Sequence, residues 1–269
     1  MFQGDILILS DSHCHLRYFI DKNKSNNLKD IINFSRKNYV KYILCVSVKP
    51  SDFFIVKKYV KNISNKSIFY SFGIHPLAIK SENEISSLIN KISYDEIVAF
   101  GETGLDFSLN AEIYPDLQKY VFRKHVRMAN MFCKPLIIHS RNSYKETLNI
   151  LREEKIHNCG GVVHCFTGNI SQARKFLDLG LYVSFSGIIT FSNAAKVRQT
   201  AKFVPVDRML IETDSPFLSP NPFRGKENQP AYLKYIANTI SKIKMIKIEK
   251  FSEITTKNFV DLFLKKALV

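Results

Sequence analysis

The chain is 269 residues long and 45% hydrophobic, with a mean hydropathy of -0.09, which suits a soluble globular protein with a sizeable core. No apolar run approaches the roughly 18 residues that a membrane helix needs, and the opening MFQGDILILS lacks the basic start and long apolar stretch of a secretory signal, so a cytoplasmic protein with no membrane partner is expected. Lysine and arginine number 39 against 24 acidic residues, a formal charge of +15 that would attract a polyanion; 29 of the 39 are lysine, so a general compositional bias explains the excess equally well.

Short runs rich in Ile, Val, Leu, Phe and Tyr recur at Asp5–Ser10, Lys41–Val46, Ser67–Gly73, Ile97–Gly101, Pro135–His139, Gly161–Cys165, Leu181–Phe185 and Met209–Glu212. Between them lie stretches of helical periodicity at Leu28–Lys37, Phe53–Lys61, Glu84–Ile92, Asp116–Phe132, Tyr144–Glu154, Ser171–Leu179 and Ala194–Phe203. A proline-rich loop then leads to further helical patterns at Ala231–Lys242 and Glu249–Leu268. Strands alternating with helices predict parallel βαβ units, and eight units fit a closed (β/α)8 TIM barrel. An open doubly wound sheet is the alternative, because strand order cannot be read from a sequence. No linker or repeat divides the chain, so residues 1–269 are expected to form one domain. The five cysteines are odd in number and scattered, without a CxxC pair, and read as buried thiols. Cys14 and Cys165 each adjoin a candidate ligand, and the alternation of side chains along a strand predicts that both pack away from it.

His13, His15, Glu102, His139, His164 and Asp214 stand at the ends of these runs and could meet at one rim. Imidazole and carboxylate donors suit zinc, manganese, iron or magnesium, and strand ends are where an α/β barrel gathers residues distant in sequence. A two-metal hydrolytic centre is therefore expected, holding two divalent ions such as Mg²⁺, Mn²⁺ or Zn²⁺. In DSHCHL a spacing of two puts His13 and His15 on one face. In AFGETGLDF, Glu102 lies between glycines that would allow a tight turn, and its two oxygens could bridge two cations. Asp214, in ETDSP, is the candidate general base, taking a proton from an attacking water whose pKa a divalent cation lowers towards about 7. Glu102 and Asp214 are thus the catalytic candidates.

His75, in FGIHPLA, is read as a hydrogen-bond donor to a substrate phosphate, with Arg141 and Arg224 as bidentate partners; Arg224 could as well pin its own loop. His125 and His157 fall outside the strand ends and are expected to have no chemical role. Phe107, Phe166 and Phe217 could stack on bases or simply pack their loops.

Taken in order, DSHCHL, GIHP, GETGLD, IIHSR, HCFTG, ETDSP and RGKENQP resemble the TatD family of metal-dependent deoxyribonucleases, over essentially the whole chain. The resemblance implies a (β/α)8 barrel, divalent metal and hydrolysis of DNA phosphodiesters, often as a 3′ to 5′ exonuclease. It also implies that His13, His15, Glu102 and Asp214 hold one metal while Glu102, His139 and His164 hold the other, with Glu102 as the bridge. One departure is visible: family members often have a second histidine after GIHP or GVHP, where this chain has Leu77. DNA is the expected substrate, with RNA open and no protein partner indicated. Two rivals remain: an ester or amide hydrolase such as an aminoacyl-tRNA deacylase, since the same metals would polarise a carbonyl, and a catalytically silent nucleic-acid-binding protein, against which six convergent donors argue.

Overall fold

The computed structural model describes residues 7–21, 25–61, 63, 67–82, 92–108, 115–156 and 159–265. Its strands are β1 (Leu9–Cys14), β2 (Val40–Cys45), β3 (Ile68–Phe72), β4 (Ala99–Asp106), β5 (Leu136–Arg141), β6 (Gly161–Val163), β7 (Tyr182–Phe185) and β8 (Met209–Ile211). The helices are α1 (Arg17–Asp21), α2 (Ser25–Lys37), α3 (Pro50–Lys61), α4 (Pro115–Phe132), α5 (Tyr144–Glu153), α6 (Ile170–Leu177), α7 (Ala195–Phe203), α8 (Leu233–Lys244) and α9 (Ile248–Phe259). The helical pattern at Glu84–Ile92 falls mainly outside the described residues, as does His157.

All neighbouring strands are parallel and follow chain order from β1 to β8. That order fits a barrel and excludes the doubly wound alternative, whose strand order reverses at a switch point. The ends of the sheet meet at a seam. A parallel bridge joins Cys14 to Ser215, the Asp214 amide donates to the His13 carbonyl at 2.9 Å, and the His15 amide donates to the Ser215 carbonyl at 2.8 Å. The result is a nearly closed (β/α)8 barrel.

Two apolar clusters follow from strand alternation. Ile43, Leu136, Ile138, Val163, Val183 and Ile211 face the helices and share a core with Phe122, Phe176 and Ile236. Their neighbours Leu44, Ile137, Val162, Tyr182 and Leu210 face the barrel interior, where Phe259, Phe263 and Leu264 from the end of α9 and the turn after it pack against them. The inward face then changes character along each strand. Two residues beyond Ile137 stands His139; two beyond Val162, His164; two and four beyond Leu210, Glu212 and Asp214. One end of the barrel is thus filled with hydrocarbon and the other is lined by ionisable groups.

The largest departures from the sequence expectation are in β1 and β4. β1 runs Leu9–Cys14 rather than ending at Ser10, because its polar side chains are buried with partners. Ser10 Oγ donates to Thr256 Oγ1 at 2.9 Å, and Ser12 Oγ donates to the Ile211 carbonyl at 3.0 Å. β4 does not turn after Gly101 but continues to Asp106, so Glu102 lies within a strand. The flanking glycines serve strand contact instead of a turn. Gly101 and Gly104 have φ of 141° and 138°, and a Cβ on Gly104 would come within 2.0 Å of the His139 carbonyl oxygen. Only glycine combines that backbone with that closeness to β5.

Candidate metal centre

Glu102 is the hub of the inward-facing polar groups. Its Oε1 lies 2.7 Å from His164 Nε2, 2.9 Å from His139 Nδ1 and 3.6 Å from His75 Nε2. Its Oε2 faces the other way, 3.4 Å from His13 Nε2 and 3.7 Å from His15 Nε2. Asp214 Oδ1 approaches the same two histidines, at 3.7 and 3.3 Å. All six sequence-selected donors therefore converge, and the two oxygens of Glu102 divide them into a His139/His164 side and a His13/His15/Asp214 side. His13 belongs partly to both, since its ring stacks on that of His164 at 4.0 Å and it forms a close triad with Glu102 and His164.

The charges are strongly coupled. Burial alone would push the Glu102 carboxyl up, but the imidazoles of His164, His75 and His13 hold it well below the usual carboxylate range. Burial likewise opposes ionisation of Asp214, which the His15 contact and the neighbouring imidazoles overcome. In turn His164 is raised well above an ordinary histidine against the pull of burial, chiefly by Glu102 and then Glu212. His13 goes the other way: burial and the adjacent His164 lower it.

A metal fits this donor set. His13 Nε2 and His15 Nε2 face each other at 3.2 Å, as do His139 Nδ1 and His164 Nε2. Imidazole nitrogens paired at that distance beside carboxylates can share either a proton or a cation. The buried Nδ1 of His13 has no hydrogen-bond partner among the described residues.

The remaining ring nitrogens are oriented from behind, a pattern typical of ligand histidines. His139 Nε2 lies 3.0 Å from Asp106 Oδ2, His164 Nδ1 lies 3.3 Å from Glu212 Oε1, and His15 Nδ1 lies 3.1 Å from the Val46 carbonyl oxygen. Asp106 and Glu212 were not selected from the sequence. Both were findable, since Asp106 stands four residues beyond Glu102 on one strand and Glu212 two residues before Asp214. Asp106, His75 and His139 also form a triad able to hold a cation.

Two further residues position the centre. Asp11 accepts from the Thr213 amide at 2.9 Å and from its hydroxyl at 2.5 Å, tying β1 to the turn that carries Asp214; burial pushes its carboxyl up to about 8. Fully buried Asn228 donates from Nδ2 to the carbonyls of Thr213 and Phe217, at 2.8 and 2.6 Å. In the RGKENQP segment it is thus Asn228 that holds the centre. Arg224 is exposed, with its guanidinium 4.4 Å from the Phe191 ring centroid, and does not line the cavity over the donors.

That cavity measures about 790 Å³ and is walled by His15, Glu102, His139, His164 and Asp214, by Tyr18, Lys49, Leu77, Lys80 and Arg141, and by Phe217, with His13 buried beneath it. His75 Nδ1 accepts from the Leu77 amide at 3.1 Å, which leaves the proton on Nε2, directed at the centre. Burial pushes His75 down to about 4, so the ring is a neutral donor. Cys14 packs into the helix-side core as its alternation predicts. Cys165 does not: β6 ends at Val163, so strand alternation no longer applies, and the half-buried thiol lies on the cavity wall 3.2 Å from Ser186 Oγ. Phe166 is buried against Tyr144 and Phe176, and Phe107 packs on the core. His125, buried in α4, accepts the Ile74 amide on Nε2 and directs Nδ1 at the Val121 carbonyl.

The profile of the family described as TatD related DNase matches residues 10–264. An uncharacterized metal-dependent hydrolase of Buchnera aphidicola from Acyrthosiphon pisum is 45% identical over 265 residues, covering 96% of this chain and 99% of that protein. An uncharacterized metal-dependent hydrolase of Escherichia coli K12 is 39% identical over 257 residues, covering 96% of each. Among solved structures, a TatD homologue from Escherichia coli K12 superposes with a TM-score of 0.83 at 23% identity, covering 96% of this chain and 98% of that one, and so shares the barrel. With the family profile and both relatives spanning nearly its full length, the chain belongs to the TatD-related DNase family.

Proposed function

We propose that this metal-dependent hydrolase of the TatD family cleaves DNA phosphodiester bonds, as a 3′ to 5′ exodeoxyribonuclease. The observation that carries the reading is the Glu102 carboxylate, whose two oxygens face two separate sets of imidazoles. His13, His15, Glu102 and Asp214 would hold one divalent cation, and Glu102, His139 and His164 a second. When bound, such a pair supplies Lewis-acid stabilisation of phosphoryl oxygens and a water that is nucleophilic at neutral pH.

The chain's own groups do the rest. Asp214, kept ionised beside His15, accepts the proton of the attacking water. The Nε2–H of His75 donates to a nonbridging phosphate oxygen, a role suited to a ring that stays neutral and is fixed through Nδ1. Arg141, exposed on the cavity wall two residues past His139, offers a bidentate guanidinium to the same phosphate. Leu77 gives that part of the wall an exposed apolar side chain in place of a further donor.

The test uses end-labelled single- and double-stranded DNA with Mg²⁺ or Mn²⁺. Stepwise shortening from the 3′ end is expected, abolished in Glu102→Ala and Asp214→Ala. Intact DNA, with cleavage of an aminoacyl ester by the same preparation, would overturn the nuclease reading in favour of an ester hydrolase.

A further inference from the structure

The loops after β2 and β3 form one continuous piece of the cavity wall. The His75 amide donates to the Val48 carbonyl at 2.9 Å, and the Ala78 amide donates to the His75 carbonyl at 2.8 Å. The segment carrying Lys49 and the segment carrying Lys80 are thus joined through His75 itself. Both lysines are exposed and line the cavity, so they flank the imidazole that is read as a donor to the scissile phosphate. Apart from Glu102 and Asp214, no carboxylate among the described residues lines this cavity.

Lys49 is placed by its backbone. Asp52 Oδ2 accepts the Val48 and Lys49 amides at 3.0 and 2.9 Å, and its Oδ1 faces Arg17 Nε at 3.8 Å. That carboxylate fixes the turn at the start of α3. Several lysines away from the cavity have carboxylate partners, among them Lys57 with Glu96, Lys119 with Asp116 and Lys250 with Glu253. Lys49 forms no such pair among the described residues. Between the two lysines the wall is apolar, with Leu77 47% exposed beside Val48, Ala78 and Ile79. An apolar ledge edged by positive charge matches the alternation of sugar and phosphate along a nucleic-acid strand.

Resting on the nuclease reading, we propose that Lys49 and Lys80 form a second phosphate subsite, which takes the phosphate next to the scissile one while Leu77 supports the sugar between them. The wall then divides the work: His75 and Arg141 engage the reacting phosphate, and the two lysines hold the chain. An ammonium is a point charge on a flexible stem, which suits a phosphate that must be held without being aligned for reaction. The subsite reads charge and not base, so it grips a strand of any sequence. It makes Lys49 and Lys80 determinants of chain recognition, separating a polynucleotide from an isolated phosphodiester.

The experiment uses the metal-loaded full chain and two oligothymidylates that differ at one linkage. The linkage next to the 3′-terminal one is either an ordinary phosphodiester or a neutral methylphosphonate, and release of the terminal nucleotide is measured. For the wild type, the methylphosphonate substrate should show a KM roughly three- to thirtyfold higher, the range for two exposed charge contacts. In the Lys49→Gln/Lys80→Gln double variant this ratio should collapse towards one, whereas Lys49→Arg/Lys80→Arg should keep it. On the ordinary substrate, the slope of log KM against log salt should fall by about 0.7 in the glutamine variant, for one phosphate no longer neutralised. Both side chains are exposed, and a thermal melt confirms that each variant is folded. If the ratio survives in the glutamine variant, or if the wild type cleaves both substrates with equal KM, the subsite is wrong and the nuclease reading stands. If the wild type cleaves neither oligonucleotide, the nuclease reading falls and takes the subsite with it.

Discussion

Asp106 and Glu212 decide which nitrogen His139 and His164 turn towards the centre. An imidazole has two chemically similar nitrogens, and only a partner on one side commits the other. With Asp106 Oδ2 at 3.0 Å from Nε2, His139 must present Nδ1; with Glu212 Oε1 at 3.3 Å from Nδ1, His164 must present Nε2. The opposite choices explain how two histidines from adjacent strands meet one oxygen of Glu102. Replacing Asp106 by Asn keeps the shape but removes the charge that fixes the ring. Calorimetric titration of Asp106→Asn with Mn²⁺ should show an affinity for the His139 subsite weaker by about 10- to 100-fold, with turnover reduced in step. An unchanged affinity would mean that packing alone orients His139. The six donors could be read from residue type and position, because strand-end histidines and carboxylates are rare outside such sites. Their supports could not be singled out as readily, since an aspartate after GETGL or a glutamate before TDSP has the same chemistry whether it faces metal or another ligand.

β4 shows what a strand needs in order to carry Glu102 to the barrel axis. Side-chain alternation alone does not do it; the pairing with β5 skips register between Phe100 and Thr103, and Gly101 and Gly104 let the two backbones close up around the irregularity. A sequence reader sees Gly-Glu-Thr-Gly as a turn, for glycine favours both turns and close contacts. Gly104→Ala should lower unfolding free energy in urea by on the order of 2–3 kcal/mol, since neither the φ nor the His139 carbonyl leaves room for a methyl group. Stability equal to wild type would show that the β4/β5 contact relaxes freely.

The end of β3 is fastened in a different way, by His125 of α4 accepting the Ile74 amide beside His75. Burial pushes His125 down to about 4 from an ordinary 6.5, so the folded protein keeps it neutral where the unfolded chain would protonate it. A folded pKa below the unfolded one contributes stability above about pH 6.5 that is lost as pH falls towards 4, up to roughly 3 kcal/mol for a shift of this size. His125→Gln can still accept the amide but cannot titrate. Urea unfolding at pH 7 and pH 4.5 should therefore show a smaller acid-induced loss in His125→Gln than in the wild type; equal losses would remove His125 from the acid response. A helical histidine remote from the motifs had every appearance of a bystander, because its partner lies 51 residues away.

In the molecule as a whole, eight alternating units announce the barrel, and the strand order from β1 to β8 realises it. What periodicity leaves open is the closure, which depends on polar contacts between residues some 200 positions apart, Asp11 with Thr213 above all. That seam also brings His13 and His15 to Asp214, so closing the barrel and assembling the centre are one event. The +15 charge is compatible with a polyanionic substrate, yet three cations on the cavity wall say more about a phosphate chain than the total does. No helix among the described residues is long and apolar enough to cross a membrane.

The proposed mechanism depends on Glu102 joining two metal subsites, and calorimetric titration of chelator-stripped protein with Mn²⁺ addresses that directly. Two ions per chain are expected for the wild type, and Glu102→Gln should lose tight binding at both subsites, because each would use one of the Glu102 oxygens that face the two histidine sets. Saturation at fewer than two ions, or a Glu102→Gln variant that still binds two with wild-type affinity, would contradict a bridged binuclear centre.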